Sequence, residues 1–128
     1  MQEEAIYIVA GDEMQKLFSE KFPAVRTIPF CEDFSKGSYK GFSFDDALIF
    51  ERASFWGVSE EEYRKKMAPI MDLDFSKPYL LTFGEDECCL ANRRFLIGYL
   101  KSKGYSKPIK VRVVNEYDLT LLQEFVAE

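Results

Sequence analysis

The 128 residues contain no histidine. That absence removes Ser-His-Asp and Cys-His triads, histidine-based zinc sites and imidazole acid-base chemistry, so any catalysis would run on carboxylates, Lys, Tyr, Cys or a bound metal. Long apolar runs are missing too, and the acidic start Met1-Gln2-Glu3-Glu4 is unlike the basic start of a signal peptide. The expected location is the cytoplasm, with no membrane contact. Cysteine is scarce, and Cys31, Cys88 and Cys89 do not make the even, spaced framework of a secreted disulfide protein, so reduced thiols are expected. A basic stripe is also lacking. Arg64-Lys65-Lys66 follows directly on Glu60-Glu61-Glu62 and the net charge is -5, so no nucleic-acid partner is expected.

What is present is the balance of a folded globular chain, 47% hydrophobic and 30% charged, at a length suited to one α/β domain over residues 1-128. Ala5 to Ala10 reads as a buried strand stopped at Gly11-Asp12. A helix follows, with Asp12 as its cap, Gln15 at the capping-box position, and Met14, Leu17, Phe18 and Phe22 as its apolar face before Pro23. Ala24 to Phe30 reads as strand two, and Pro29 places it at an edge or a strand end because proline cannot donate to the ladder.

Gly37, Ser38 and Gly41 mark an irregular segment before Ser43 opens a helix with Asp46 three residues on, one side of which would carry Phe44, Ala47, Leu48, Glu51 and Phe55. Ser59 with Glu62 forms the capping box of the next helix, which Pro69 interrupts or ends. Pro78 to Phe83 is strand three, closing on Gly84-Glu85-Asp86. The following helix runs to Gly104 with its apolar stripe on Cys88, Ala91, Phe95, Leu96, Tyr99 and Leu100. Ile109 to Val114 is strand four, and Asn115 caps a last helix through Leu119, Leu122, Phe125 and Val126. Such repeated units predict a Rossmann-like three-layer sandwich whose mostly parallel sheet has about four strands in the order 2-1-3-4.

In that fold the carboxyl edge of the sheet collects Gly11-Asp12, Cys31-Glu32-Asp33, Gly84-Glu85-Asp86 and Asn115-Glu116, with the switch-point crevice between the Asp12 and Glu85-Asp86 loops. Carboxylates without histidine suit Mg²⁺, for which Asp12, Asp33 and Asp86 are the candidate ligands. Asp12 and Asp86 can equally be plain helix caps, and neither loop carries a nucleotide fingerprint. Cys88 and Cys89 lie in a helix's first turn, where a dipole lowers a thiol pKa, but Glu85, Asp86 and Glu87 oppose it and favour buried structural thiols. Asn92 is either a hydrogen-bonded core group or a crevice residue. Arg52 and Trp56, four apart, form either a cation-π pair or an anion clamp with an aromatic wall; as a clamp, Arg52→Ala would cost a ligand but little stability.

Ile8-Val9-Ala10-Gly11-Asp12, Pro29-Phe30-Cys31-Glu32-Asp33 with Gly37, Arg52-Ala53-Ser54-Phe55-Trp56, and Phe83 through Asn92 together resemble the bacterial domain-of-unknown-function family 1835 along nearly the whole chain. The resemblance implies a bacterial cytoplasmic protein. It brings no established activity, and the family's usual downstream domain has no counterpart in these residues. It directs attention to Gly11, Asp12, Glu32, Asp33, Arg52, Trp56, Gly84, Glu85, Asp86 and Asn92 as the ligand-binding positions. The leading expectation is a small-ligand-binding or regulatory module for a polar, phosphorylated molecule, with no cofactor required. A Mg²⁺-dependent phosphoryl or nucleotidyl hydrolase is the alternative. A protein-protein interaction module, homodimer included, is the third, motivated by Phe34, Tyr39, Phe42 and Phe44 in the irregular segment.

Overall fold

A computed structural model describes residues 5–127. Strand β1 (Ile6–Val9) is buried along its whole length and leads into helix α1 (Gly11–Lys21). Strand β2 (Thr27–Pro29) follows, then helices α2 (Asp46–Trp56) and α3 (Glu60–Met71). Strand β3 (Tyr79–Phe83), helix α4 (Glu87–Ser102) and strands β4 (Ile109–Val114) and β5 (Leu121–Ala127) complete the chain. The sheet order is β2-β1-β3-β4-β5, with β2, β1, β3 and β4 parallel and β5 antiparallel to β4. This is the expected α/β sandwich with its expected order of parallel strands, widened by a fifth strand.

The layers follow from period-two alternation along the strands. Ile6, Ile8, Leu81, Phe83, Val111 and Val113 face the larger core under α2, α3 and α4. Tyr7, Val9, Leu80 and Val114 face a smaller core closed by Met14 and Phe18 of α1. Phe95 on α4 anchors the larger core: Phe34 stacks on it at 4.0 Å between centroids, and Phe44 meets it edge-on at 5.1 Å. Two aromatics of the irregular segment are therefore turned inward, while most of its other residues are exposed, Phe42 at 45%. Phe34 and Phe44 are buried and Tyr39 is partly so, while Phe42 lies over Gly98, where a side-chain carbon would come within 2.4 Å of its ring. Of the four aromatics that motivated the interaction reading, Phe34 and Phe44 are thus part of the core and Phe42 stays exposed.

Four local expectations are corrected. Residues 119–126 are not a helix. The Asn115 carboxamide accepts from the backbone N–H groups of Tyr117 and Asp118, Leu119 takes a left-handed φ of 62°, and the chain reverses into β5 along β4. An Asn side chain closes such a turn as readily as it caps a helix. Helix α2 is capped by Asp45, which accepts from the Leu48 N–H at 2.9 Å, rather than opened by Ser43, and its buried residues are Leu48, Ile49, Arg52 and Ala53. Helix α1 starts one residue before Asp12, at Gly11 with φ +86°, and its N-terminus has no side-chain cap; Gln15 instead donates to Thr27. Strand β2 shrinks to three residues at the sheet edge, as its proline requires.

Candidate functional site

The direction of the chain reverses between β1 and β3, since β2 lies to one side of β1 and β3 to the other. Beyond the carboxyl ends of these two strands is a cavity of about 860 Å³, the size and place usual for a ligand site in an open α/β sheet. It is lined by the start of α1, residues 30–33, helix α3, the first turns of α4 and the β4–β5 turn. Of the residues expected there, Gly11, Asp12, Glu32 and Asp33 line the cavity from the ends of β1 and β2, and Trp56, Asp86 and Asn92 line it from the helices. Arg52, Gly84 and Glu85 are not among the lining residues.

Arg52 is the main correction. It is 0% exposed, and each of its donors is spent within the protein. Nε and Nη2 grip the Glu32 carboxylate at 3.0 and 2.9 Å. Nη2 also donates to the Asp33 carbonyl at 2.9 Å, and Nη1 to the carbonyls of Lys36 and Ser38 at 2.8 and 3.3 Å. The guanidinium lies over the Phe34 ring at 4.7 Å and near Trp56 at 5.8 Å. An arginine so engaged has no donor left for an anion. It holds residues 32–38 in place, and Gly37 with φ +73° lets that loop approach, since a side-chain carbon there would sit 3.0 Å from Nη1.

Glu32 is the other half of this lock. Besides Arg52 it accepts from Trp56 Nε1 at 2.8 Å, the Tyr63 hydroxyl at 2.5 Å and the Asp33 N–H at 2.7 Å. Burial alone would raise its pKa; the hydrogen bonds from Arg52 and Tyr63 outweigh that and hold it below the ordinary value. Burial, then the Glu32 carboxylate, push the Tyr63 hydroxyl far above its ordinary value. The network fixes Trp56 as a rigid wall. Asn92, 2% exposed, completes the support: its oxygen accepts from the Phe34 N–H at 2.8 Å and its amide nitrogen donates to the Glu32 carbonyl at 2.6 Å. Both alternatives for Asn92 meet here, a satisfied core group at the cavity wall.

The remaining carboxylates are differently placed. Asp86 caps α4, accepting from the Cys89 N–H at 2.7 Å, and Asp33 accepts from the Ser35 N–H at 2.9 Å and from its hydroxyl. Asp12 accepts from the Cys31 thiol at 3.4 Å. Cys31, Cys88 and Cys89 all line the cavity. Burial first, then Asp12, pushes the Cys31 thiol up to about 11, and burial with Asp33 and Asp86 takes Cys88 and Cys89 to about 12. They are neutral thiols at physiological pH, contrary to a reactive helix-terminus cysteine. Among the described residues no group of three or more His, Cys, Asp or Glu side chains is arranged to hold a metal ion, so Asp12, Asp33 and Asp86 are not gathered as three ligands of one Mg²⁺.

Charge decides what the cavity favours. Asp12, Glu13, Asp33, Asp86 and Glu116 line it and form no ion pair among the described residues, whereas its cations are Lys65, which reaches Glu61 at 3.7 Å, and Lys66. Tyr63, Lys66, Glu116 and Tyr117 are lining residues that sequence reasoning left out. Glu116 was visible as a strand-end acid, but Tyr63 looks only like part of the apolar stripe of α3.

Fold and cavity together define an α/β protein with a mostly parallel sheet and an acidic crevice at its switch point. Comparison with protein-family models, curated proteins and solved structures found no match to this chain. Among the described residues no helix is long and apolar enough to cross a membrane.

Proposed function

We propose that the chain is a ligand-binding or regulatory module that holds a small polar molecule in the crevice between the carboxyl ends of β1 and β3. The observation that carries this reading is the 860 Å³ cavity at the switch point, lined from the segments that follow the parallel strands. The surplus of unpaired carboxylates and the engagement of Arg52 favour a ligand with a cationic or hydrogen-bond-donating group over a phosphorylated one. The N–H groups at the uncapped start of α1 offer a place for an acceptor group on the same molecule. Trp56, Val58 and Tyr117 supply apolar contact at the rim. The bacterial, cytoplasmic setting belongs to the same proposal and is supported by the likeness to family 1835, and the acidic charge supports a role away from nucleic acid.

The test is a thermal-shift screen of the chain with organic amines, amino acids and nucleosides, set against sugar phosphates and inorganic phosphate, with Asp12→Asn and Asp86→Asn alongside. The proposal expects stabilisation by amine-bearing compounds that weakens in both variants. No shift with any compound, or equal shifts in wild type and variants, would overturn it.

A further inference from the structure

The two edges of the sheet are treated differently. At one edge β2 is three residues long and ends on Pro29, two features that discourage another strand from pairing there. At the other, β5 is seven residues long and pairs with β4 alone, so its outward backbone N–H and C=O groups have no partner strand among the described residues. Leu121, Leu122 and Val126 on it are 51%, 46% and 52% exposed. The strand Leu-Leu-Gln-Glu-Phe-Val-Ala has no proline and no lysine, and its one irregularity is a bulge against Val113 and Val114 near one end. Edges that natural proteins keep solitary are very short or carry proline, lysine or a bulge; of these β5 has only the bulge near its start, and its single charge is paired with Arg112.

We propose that β5 is an interface for a second copy of this chain, the two strands pairing antiparallel about a twofold axis to join the sheets into one. An antiparallel strand is its own complement, and a twofold axis perpendicular to the sheet keeps every side chain on its face, so only same-face residues can stand opposite one another. Centring the axis on Glu124 sets Gln123 opposite the second copy's Phe125 and Val126 against its Leu122, the residue that the bulge leaves without a partner in β4. Shifting the register by one same-face step sets Glu124 against Leu122 or against Val126, a charge against an apolar side chain. In the centred register the two Glu124 carboxylates are adjacent, but each is held by its own Arg112 Nε at 2.6 Å. Glu124 is the sole charge within β5, so on a chain of net charge -5 this edge is locally neutral. One seven-residue strand covers less than the roughly 800 Å² per partner of a standard stable interface. The dimer is therefore weak, and its population depends on protein concentration.

Sedimentation velocity from low micromolar to near-millimolar protein, with amide hydrogen exchange at both ends of that range, tests the proposal. The weight-average mass should rise from monomer toward dimer, more so at higher salt as the net charge is screened, and the β5 amides should gain protection with concentration. Val126→Glu, whose side chain stands beside Lys110 within one copy but faces Leu122 of the other, should weaken association roughly tenfold or more with the thermal midpoint unchanged. Leu122→Lys should act the same way. A monomer at every concentration would overturn the proposal and leave the edge to another protein's strand. Association that neither variant weakens, or that leaves β5 exchange unchanged, would overturn it as well.

Discussion

Replacing Arg52 by alanine removes the cation from a carboxylate that cannot reach water, since the Glu32 side chain is 1% exposed. Two hydrogen bonds to Glu32 are lost with it, along with those to the carbonyls of Asp33, Lys36 and Ser38. Removing one partner of a buried ion pair costs about 3–5 kcal/mol, because the other charge stays behind without compensation. For a domain of this size that corresponds to a fall in melting temperature of roughly 10–20 °C. Urea unfolding followed by circular dichroism measures the loss directly, and its pH dependence isolates the cause. In the wild type Glu32 titrates below its ordinary value of 4.5. Its stabilisation is therefore full above that pH and is lost as pH falls through the folded-state value. In the variant burial is opposed only by the donors that remain, Tyr63, Trp56 and the Asp33 N–H, so the Glu32 pKa rises relative to the wild type, protonation relieves the buried charge, and the deficit narrows on acidification. A loss below about 1 kcal/mol, or a deficit that does not change between pH 7 and pH 4, would refute the buried-pair reasoning and restore Arg52 to the anion-clamp role its sequence position suggested.

The cavity thiols give a second prediction. With Cys31 raised from 9.0 to about 11, the thiolate population at pH 8 is roughly a hundredfold below that of an ordinary thiol; iodoacetamide should modify it correspondingly slowly, and a rate equal to that of a free thiol would contradict the burial and the Asp12 contact. Because folded-state protonation of all three thiols is favoured, their contribution to stability is intact below pH 9.0 and falls as pH rises toward 11–12, which an alkaline unfolding series will show. Asp86→Ala should cost about 1 kcal/mol through the lost α4 cap and Asp86→Asn only a few tenths, measured by urea midpoints; equal losses would mean that the charge rather than the cap matters. Phe95→Ala should cost about 3–5 kcal/mol and speed hydrogen exchange across residues 34–44, whereas loss of stability without that local change would separate the ring stack from the loop.

The parallel core was legible because each of its strands is a short run closed by glycine or acid, and α1, α3 and α4 carry apolar periods; α2 does not, burying Leu48, Ile49, Arg52 and Ala53 while Phe50 and Phe55 are exposed. The order 2-1-3-4 then followed from the connections, and with it the strand-end crevice. What escaped the sequence depended on tertiary partners. Leu119, Leu122, Phe125 and Val126 fit a helical period, yet the left-handed turn at Leu119 and the open side of β4 made residues 121–127 an antiparallel strand. Arg52 and Trp56 gave the signal of a stacked pair, which they form. Nothing in the local sequence marked Glu32, twenty residues earlier, as the carboxylate that consumes both. Asp12 looked like a cap because it follows a strand and a glycine, but Gly11 with its positive φ begins the helix itself.

The acidic crevice between β1 and β3 is the proposed ligand site. Amide chemical-shift mapping on the isotope-labelled chain, titrated with the amine-bearing compounds of the screen and separately with inorganic phosphate, tests it most directly. Amines should shift the amides of Gly11, Asp12, Asp33, Asp86 and Glu116 as one group while phosphate leaves them in place. Amine-induced shifts scattered over the surface, or phosphate moving that group instead, would contradict it.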